Sequence, residues 1–156
     1  MKKIALVLLA ALMLFVLAGC GEKPQETVAS TLETPLLDLV TGIVPGAAEM
    51  ANLPLMDLED IIGIESSEFT EAVYLQSTAL EGGEAVVVRA VDGEAAEGVA
   101  AMLENYLQRR MEETQNYVPE AYKLLKETSV QRKNNTVALI VTEKAAEVTT
   151  KLLAGE

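Results

Sequence analysis

The sequence predicts an α+β domain: a four-stranded, mainly antiparallel sheet of two hairpins, with helices on one face, in the order β-β-α-α-β-β-α. Three observations lead there. Phe69–Ser77 and Ala85–Val91 are rich in β-branched and aromatic residues and flank Glu81-Gly82-Gly83-Glu84, a strand–turn–strand pattern. Val99, Met102, Leu103, Tyr106, Leu107 and Met111 then recur at helical spacing. A further apolar run, Thr136–Val141, follows Asn134-Asn135, and asparagine tolerates the positive φ of a tight hairpin turn.

The elements follow in chain order. Leu36–Val40 reads as a short helical turn or strand, and residues 42–53 as irregular, because Gly42, Pro45, Gly46 and Pro54 interrupt the apolar content. Asp57 is placed to cap a short helix through about Ile62 that Gly63 ends. Asp92-Gly93 closes the second strand, and a long helix starts at Glu94 with Glu104, Gln108, Arg109, Glu112 and Glu113 on its polar surface. Residues 116–119 break that pattern. Pro119 then opens a second helix through Glu127, because the first turn does not use its missing N–H. Ser129–Lys133 begins the second hairpin, and Val137, Leu139 and Val141 share one face of its second strand by the period of two. Lys144–Leu153 forms the last helix and buries Ala145, Val148 and Leu152. Strand order does not follow from these patterns.

The N-terminus carries a different signal. Lys2 and Lys3 precede an uncharged run, Ile4–Ala18, which is followed by Gly19 and the chain's one cysteine, Cys20. A charged n-region, an apolar h-region and small residues before a cleavage point are the order of a secretory signal. The run is shorter than the about 20 apolar residues that span a bilayer, and the polar string Gly21–Glu26 follows at once. Leu17-Ala18-Gly19-Cys20 resembles a bacterial lipobox. The resemblance implies cleavage between Gly19 and Cys20 and a lipid on the Cys20 sulfur; an ordinary signal peptide with a coincidental cysteine is the alternative. Each buried methylene contributes about 0.8 kcal/mol, so two or three acyl chains make a stable anchor. The expected organisation is a cleaved signal over residues 1–19, a lipidated cysteine and flexible tether over 20–35, and one domain over 36–156, best defined at 57–153.

Composition narrows the function classes. The chain has 24 acidic against 12 basic residues, a formal charge of −12, and loses two of those cations with the signal. That balance disfavours nucleic acid and anionic headgroups as direct partners. It fits a body held off the membrane or one that meets cations or basic partners, and a plain solubilising surface is the more ordinary explanation. There is no histidine, so the usual general base near neutral pH is missing. Lipidation uses the only thiol, which removes a cysteine nucleophile, an intrachain disulfide and zinc-type ligands together. The acid pairs Asp57 with Asp60 and Glu94 with Glu97 sit where helix dipoles favour carboxylates. They lack the spacing of a calcium loop. No catalytic residue, metal ligand or cofactor is expected beyond the covalent lipid on Cys20.

Taken together, the lipobox, Val86-Val87-Val88 running into Asp92-Gly93, the long helix, Gln115–Glu120 and the terminal hairpin resemble a family of small lipoproteins of unknown function from Gram-positive, clostridia-like bacteria. The resemblance covers roughly Asp57 to Leu153 and implies location and architecture without a mechanism. Tyr117 and Tyr122 flank Pro119 near Arg109 and Arg110, and aromatics with arginine are enriched where proteins bind partners. Those four residues form the candidate partner surface; tyrosines that cap the core, with arginines that pair with Glu112 and Glu113 or stay solvated, are the plainer reading. Arg89 lies mid-strand, where it crosses a solvated face or pairs with an acid on the next strand. The expectation is a lipid-anchored module on the outer face of the cytoplasmic membrane that binds an envelope protein or cell-wall component without catalysis. A small-ligand or cation receptor and a carboxylate-based envelope hydrolase are the alternatives.

Overall fold

Three uninterrupted apolar runs, Ala72–Leu75, Ala85–Val88 and Val137–Val141, are buried at every position. A strand turns alternate side chains to opposite faces, so such runs need cover on both sides of the sheet. The computed structural model describes residues 35–79 and 82–156 of the chain. It contains helix α1 (Pro35–Ile43), a 3₁₀ turn (Ala47–Glu49), strand β1 (Ala51–Asn52), a π-helical turn (Leu58–Ile62), β2 (Phe69–Gln76) and β3 (Glu84–Ala90). Helices α2 (Gly93–Thr114) and α3 (Pro119–Lys126), strands β4 (Gln131–Lys133) and β5 (Thr136–Val141), and helix α4 (Ala145–Ala154) complete it. The expected signal segment, Leu17-Ala18-Gly19-Cys20 and the expected tether up to residue 34 lie outside the described residues.

All neighbouring strands are antiparallel, in the order β1-β2-β3-β5-β4. This corrects the expected sheet: it has five strands rather than four, and α1 and β1 precede the anticipated β-β-α-α-β-β-α order. Strand β1 is only two residues long, pairing Ala51 and Asn52 with Gln76 and Leu75, and the glycine- and proline-broken stretch around it hides it from pattern reading. Both edges are blunted, β1 by its length and β4 by the exposed charges of Arg132 and Lys133. The anticipated turn at residues 81–84 also ends earlier than expected: Glu84 is the first residue of β3, opposite Val141. Gly83 makes that approach possible, because a Cβ there would stand 2.6 Å from the Val141 carbonyl oxygen.

Helices cover both faces, not one. Ala72, Tyr74, Val86, Val88, Val137, Leu139 and Val141 pack under Val99, Leu103, Tyr106 and Leu107 of α2, Leu125 of α3, and Leu58, Ile62 and Ile64 around the π turn. The alternate residues Val73, Leu75, Ala85, Val87, Ala138 and Ile140 meet Leu36, Val40 and Val44 around α1 and Leu152 and Leu153 of α4. Leu36 and Val40 lie one turn apart on a single helical face, so of the helical turn or strand expected here the helical outcome is the one observed, and the helix continues to Ile43. Full burial of a leucine or valine side chain contributes about 1.5–3 kcal/mol, and both layers collect that gain from one sheet.

Local chemistry fixes the boundaries. The Asp92 carboxylate accepts from the Ala95 N–H at 2.8 Å and starts α2. Pro119 stands in the first turn of α3. Asn134 turns the second hairpin at φ 53°. Asp57 does not cap the π turn: its backbone is already helical and its side chain makes no capping bond. Gly63 ends that turn at φ 95°, donating its N–H to the Leu58 and Glu59 carbonyls at 2.8 and 3.1 Å.

Candidate functional site

The four residues of the candidate partner surface diverge. Arg109 is exposed; its Nη2 donates to the Ile61 carbonyl at 2.5 Å and its guanidinium sits 5.4 Å over the Tyr106 ring. Arg110, the next residue along α2, turns the other way, and its Nη2 lies 3.8 Å from Glu84 Oε2. Tyr117 stands 84 % exposed in the loop after α2. Tyr122 is half-buried on α3 beneath Lys126, whose Nζ is 5.6 Å from its ring centre. No hydrogen bond, ion pair or ring contact joins either tyrosine to either arginine. Both arginines find partners on other elements: the Ile61 carbonyl in the π turn and Glu84 on β3.

Arg110 leads to an arrangement that no sequence motif marks. Glu84, on β3, is 2 % exposed, yet it sits among Tyr74 of β2 and Tyr106 of α2, both almost fully buried. Tyr106 donates its hydroxyl hydrogen to Glu84 Oε1 at 2.5 Å, and the Tyr74 and Tyr106 hydroxyls are 3.0 Å apart. With the Tyr106 proton directed to the carboxylate, Tyr74 is the donor of the second bond, so the chain runs from Tyr74 through Tyr106 to Glu84. Burial raises the proton affinity of Glu84 against the opposing pull of Tyr106 and Arg110. Burial, reinforced by the Glu84 charge, pushes the Tyr74 hydroxyl up to about 12 and moves Tyr106 the same way. The Arg110 Nε is buried without a hydrogen-bond partner. One sequence signal points here: a tyrosine on the apolar face of a helix needs a partner for its hydroxyl, and Tyr106 is such a residue.

A second ion cluster closes the opposite layer. Arg89 bonds Glu71, its register partner on β2, and the side chain of Glu156, with Nε and Nη2 at 2.9 and 2.5 Å from its two oxygens. Thr136 donates to Glu156 at 3.0 Å, and Glu71 Oε1 accepts from the Leu36 N–H at 2.9 Å. Of the two outcomes open for Arg89, pairing with a neighbouring acid is the one observed. The hydrogen bonds from Arg89, helped by Thr136 and the Arg89 charge, hold the Glu156 carboxyl below the usual carboxylate range. Glu156 in turn raises the proton affinity of the guanidinium.

The remaining polar features are shallow. Glu94 and Glu97 are both exposed, and Glu97 pairs with Arg132 at 3.4 Å. Among the described residues, no group of three or more acidic or cysteine side chains is placed to hold a metal ion. An open cleft of about 500 Å³ is lined by Glu120, Lys123, Leu124, Glu127, Glu143 and Lys144. Lys144, before α4, adopts a left-handed backbone at φ 59°. Among the described residues, no helix is long and apolar enough to cross a membrane.

These features define an α+β domain with an antiparallel sheet layered by helices on both faces and a sealed acid–tyrosine network under its longest helix. The family model described as "Domain of unknown function (DUF4358)" matches residues 47–142, and the chain belongs to that family. The matched span holds all five strands, α2, α3 and the whole Glu84 network, whereas α1 and α4 lie outside it. No curated protein and no solved structure matches the chain.

Proposed function

We propose that the chain is an envelope lipoprotein of a Gram-positive, clostridia-like bacterium, held on the outer face of the cytoplasmic membrane through Cys20, and that it works by binding another envelope component. The observation that carries the choice of binding over turnover is where reactive and sticky groups lie. Glu84, the carboxylate with raised proton affinity, is sealed under α2 where no substrate reaches it. Leu55, Met56, Ile61, Val91 and Tyr117 meanwhile stand exposed. The Leu17–Cys20 pattern supports the anchor, and an anchored tether frees the domain to search for a partner near the membrane. A chain entering at Pro35 joins the α1 layer, across the sheet from the π turn and α2.

The test is cross-linking on intact cells followed by affinity recovery and mass spectrometry, with wild type beside Cys20→Ala. A lipid mass on the Cys20 peptide and an envelope partner lost from the variant are expected. An unmodified Cys20, or recovery of the monomer alone, contradicts the reading. The second reading, a small-ligand receptor, draws on the Glu120–Lys144 cleft and predicts a ligand-dependent rise in melting temperature that Lys123→Ala abolishes.

A further inference from the structure

Among the five large apolar side chains named above, three fall within one seven-residue stretch: Leu55 at 46 %, Met56 at 67 % and Ile61 at 41 % exposed. Exposed apolar residues scattered singly are ordinary, but a cluster with a polar rim marks an interaction site. The cause is local. Leu58, Ile62 and Ile64 take the inward positions against the main core, and the wide π turn swings Ile61 away from the Leu58 face that it shares in a regular α-helix. Asp57, Glu59 and Asp60 interleave with the apolar residues, and the latter two are exposed. The adjacent cation, Arg109, is already engaged by the Ile61 carbonyl and the Tyr106 ring. What remains open is apolar with an acidic rim, and the core beneath holds it in place, which keeps the ordering cost of association low.

We infer that this turn is the docking surface for a basic amphipathic segment of another protein, an inference that rests on the interaction-module reading. Such a segment lays its apolar side chains on Leu55, Met56 and Ile61 and its flanking lysines or arginines beside Asp57, Glu59 and Asp60. The chain's excess of acidic over basic residues attracts that partner at long range. The same acidic rim repels an anionic bilayer, so a lipid surface is the disfavoured occupant.

The test follows the Met56 methyl signal by NMR in the full-length chain. It is titrated with an amphipathic leucine/lysine peptide, with its leucine/glutamate counterpart, and with phosphatidylcholine/phosphatidylglycerol vesicles. The leucine/lysine peptide is expected to shift the signal, and the acidic peptide to leave it in place. Affinity for the basic peptide, read on the whole chain by calorimetry, should fall about tenfold or more both in Met56→Ser/Ile61→Ser and in Glu59→Gln/Asp60→Asn. Unchanged affinity in either double variant, an equal response to the acidic peptide, or a Met56 response to vesicles alone overturns the inference. Cross-linking on cells separates this failure from that of the underlying reading. A partner captured equally by wild type and Met56→Ser/Ile61→Ser removes the docking site and leaves the module, whereas no capture by wild type removes both.

Discussion

The two sides of the sheet each set an arginine against a carboxylate, and the surroundings send the acids in opposite directions. Under α2, Glu84 is sealed with two tyrosines, and Arg110 approaches only to 3.8 Å. On the other side Arg89 grips Glu156 with two nitrogens, and that guanidinium is about a third exposed. Loss of water dominates for Glu84 and raises its proton affinity; the hydrogen bonds from Arg89 dominate for Glu156 and lower it. The same pairing of residue types is therefore an internal fastener that resists ionisation in one place and an ordinary ion pair in the other. Depth and the closeness of the cation decide which.

The largest expected effect comes from deleting the buried acid. Glu84→Ala leaves the Tyr106 hydroxyl and Arg110 without their partner and should cost roughly 3 kcal/mol in urea unfolding. A loss under about 1 kcal/mol would break the comparison. Next, Tyr106→Phe removes both the donor to Glu84 and the acceptor for Tyr74 and should cost about 1–2 kcal/mol. Glu156→Gln, at the half-open cluster, should cost no more than about 1 kcal/mol, and that cost should shrink at high salt while the Glu84→Ala cost does not.

The dependence on pH sharpens the contrast further. Glu84 binds its proton more tightly folded than unfolded, so its contribution is full below the unfolded value near 4.5 and is lost as pH rises through the folded one. Glu156 is the reverse: its contribution is present above the unfolded value and is lost as pH falls through its depressed folded value. Denaturation curves across pH should show Glu84→Gln flattening the fall in stability on the alkaline side and Glu156→Gln flattening the fall on the acid side. Identical slopes in the two variants would show that burial does not separate the clusters.

Local chemistry carried much of the fold. Asn134 turns the second hairpin, Pro119 opens α3, and Val99, Leu103, Tyr106 and Leu107 mark the buried face of α2 as their spacing requires. The second helical layer was less plain, because the alternation in Val137, Leu139 and Val141 draws attention to one face. The unbroken runs Val86-Val87-Val88 and Val137–Val141 are the sign that both faces need cover. The polar clusters were harder to read. Glu84 follows two glycines and looks like a turn residue; its burial depends on Tyr106, 22 positions away. Arg89 meets Glu156 across 67 positions. Arg110 belongs with Glu84 rather than with its neighbour Arg109, since adjacent residues on a helix point in different directions.

The most direct measurement is a carboxyl ¹³C NMR titration of the full-length chain, with the Glu84 and Glu156 signals assigned through their Gln variants. A midpoint for Glu84 above the ordinary glutamate value of 4.5, with Glu156 below it, is the expected result. A Glu84 midpoint at or below that value would mean that water or Arg110 reaches the carboxylate, and the sealed network under α2 would no longer stand.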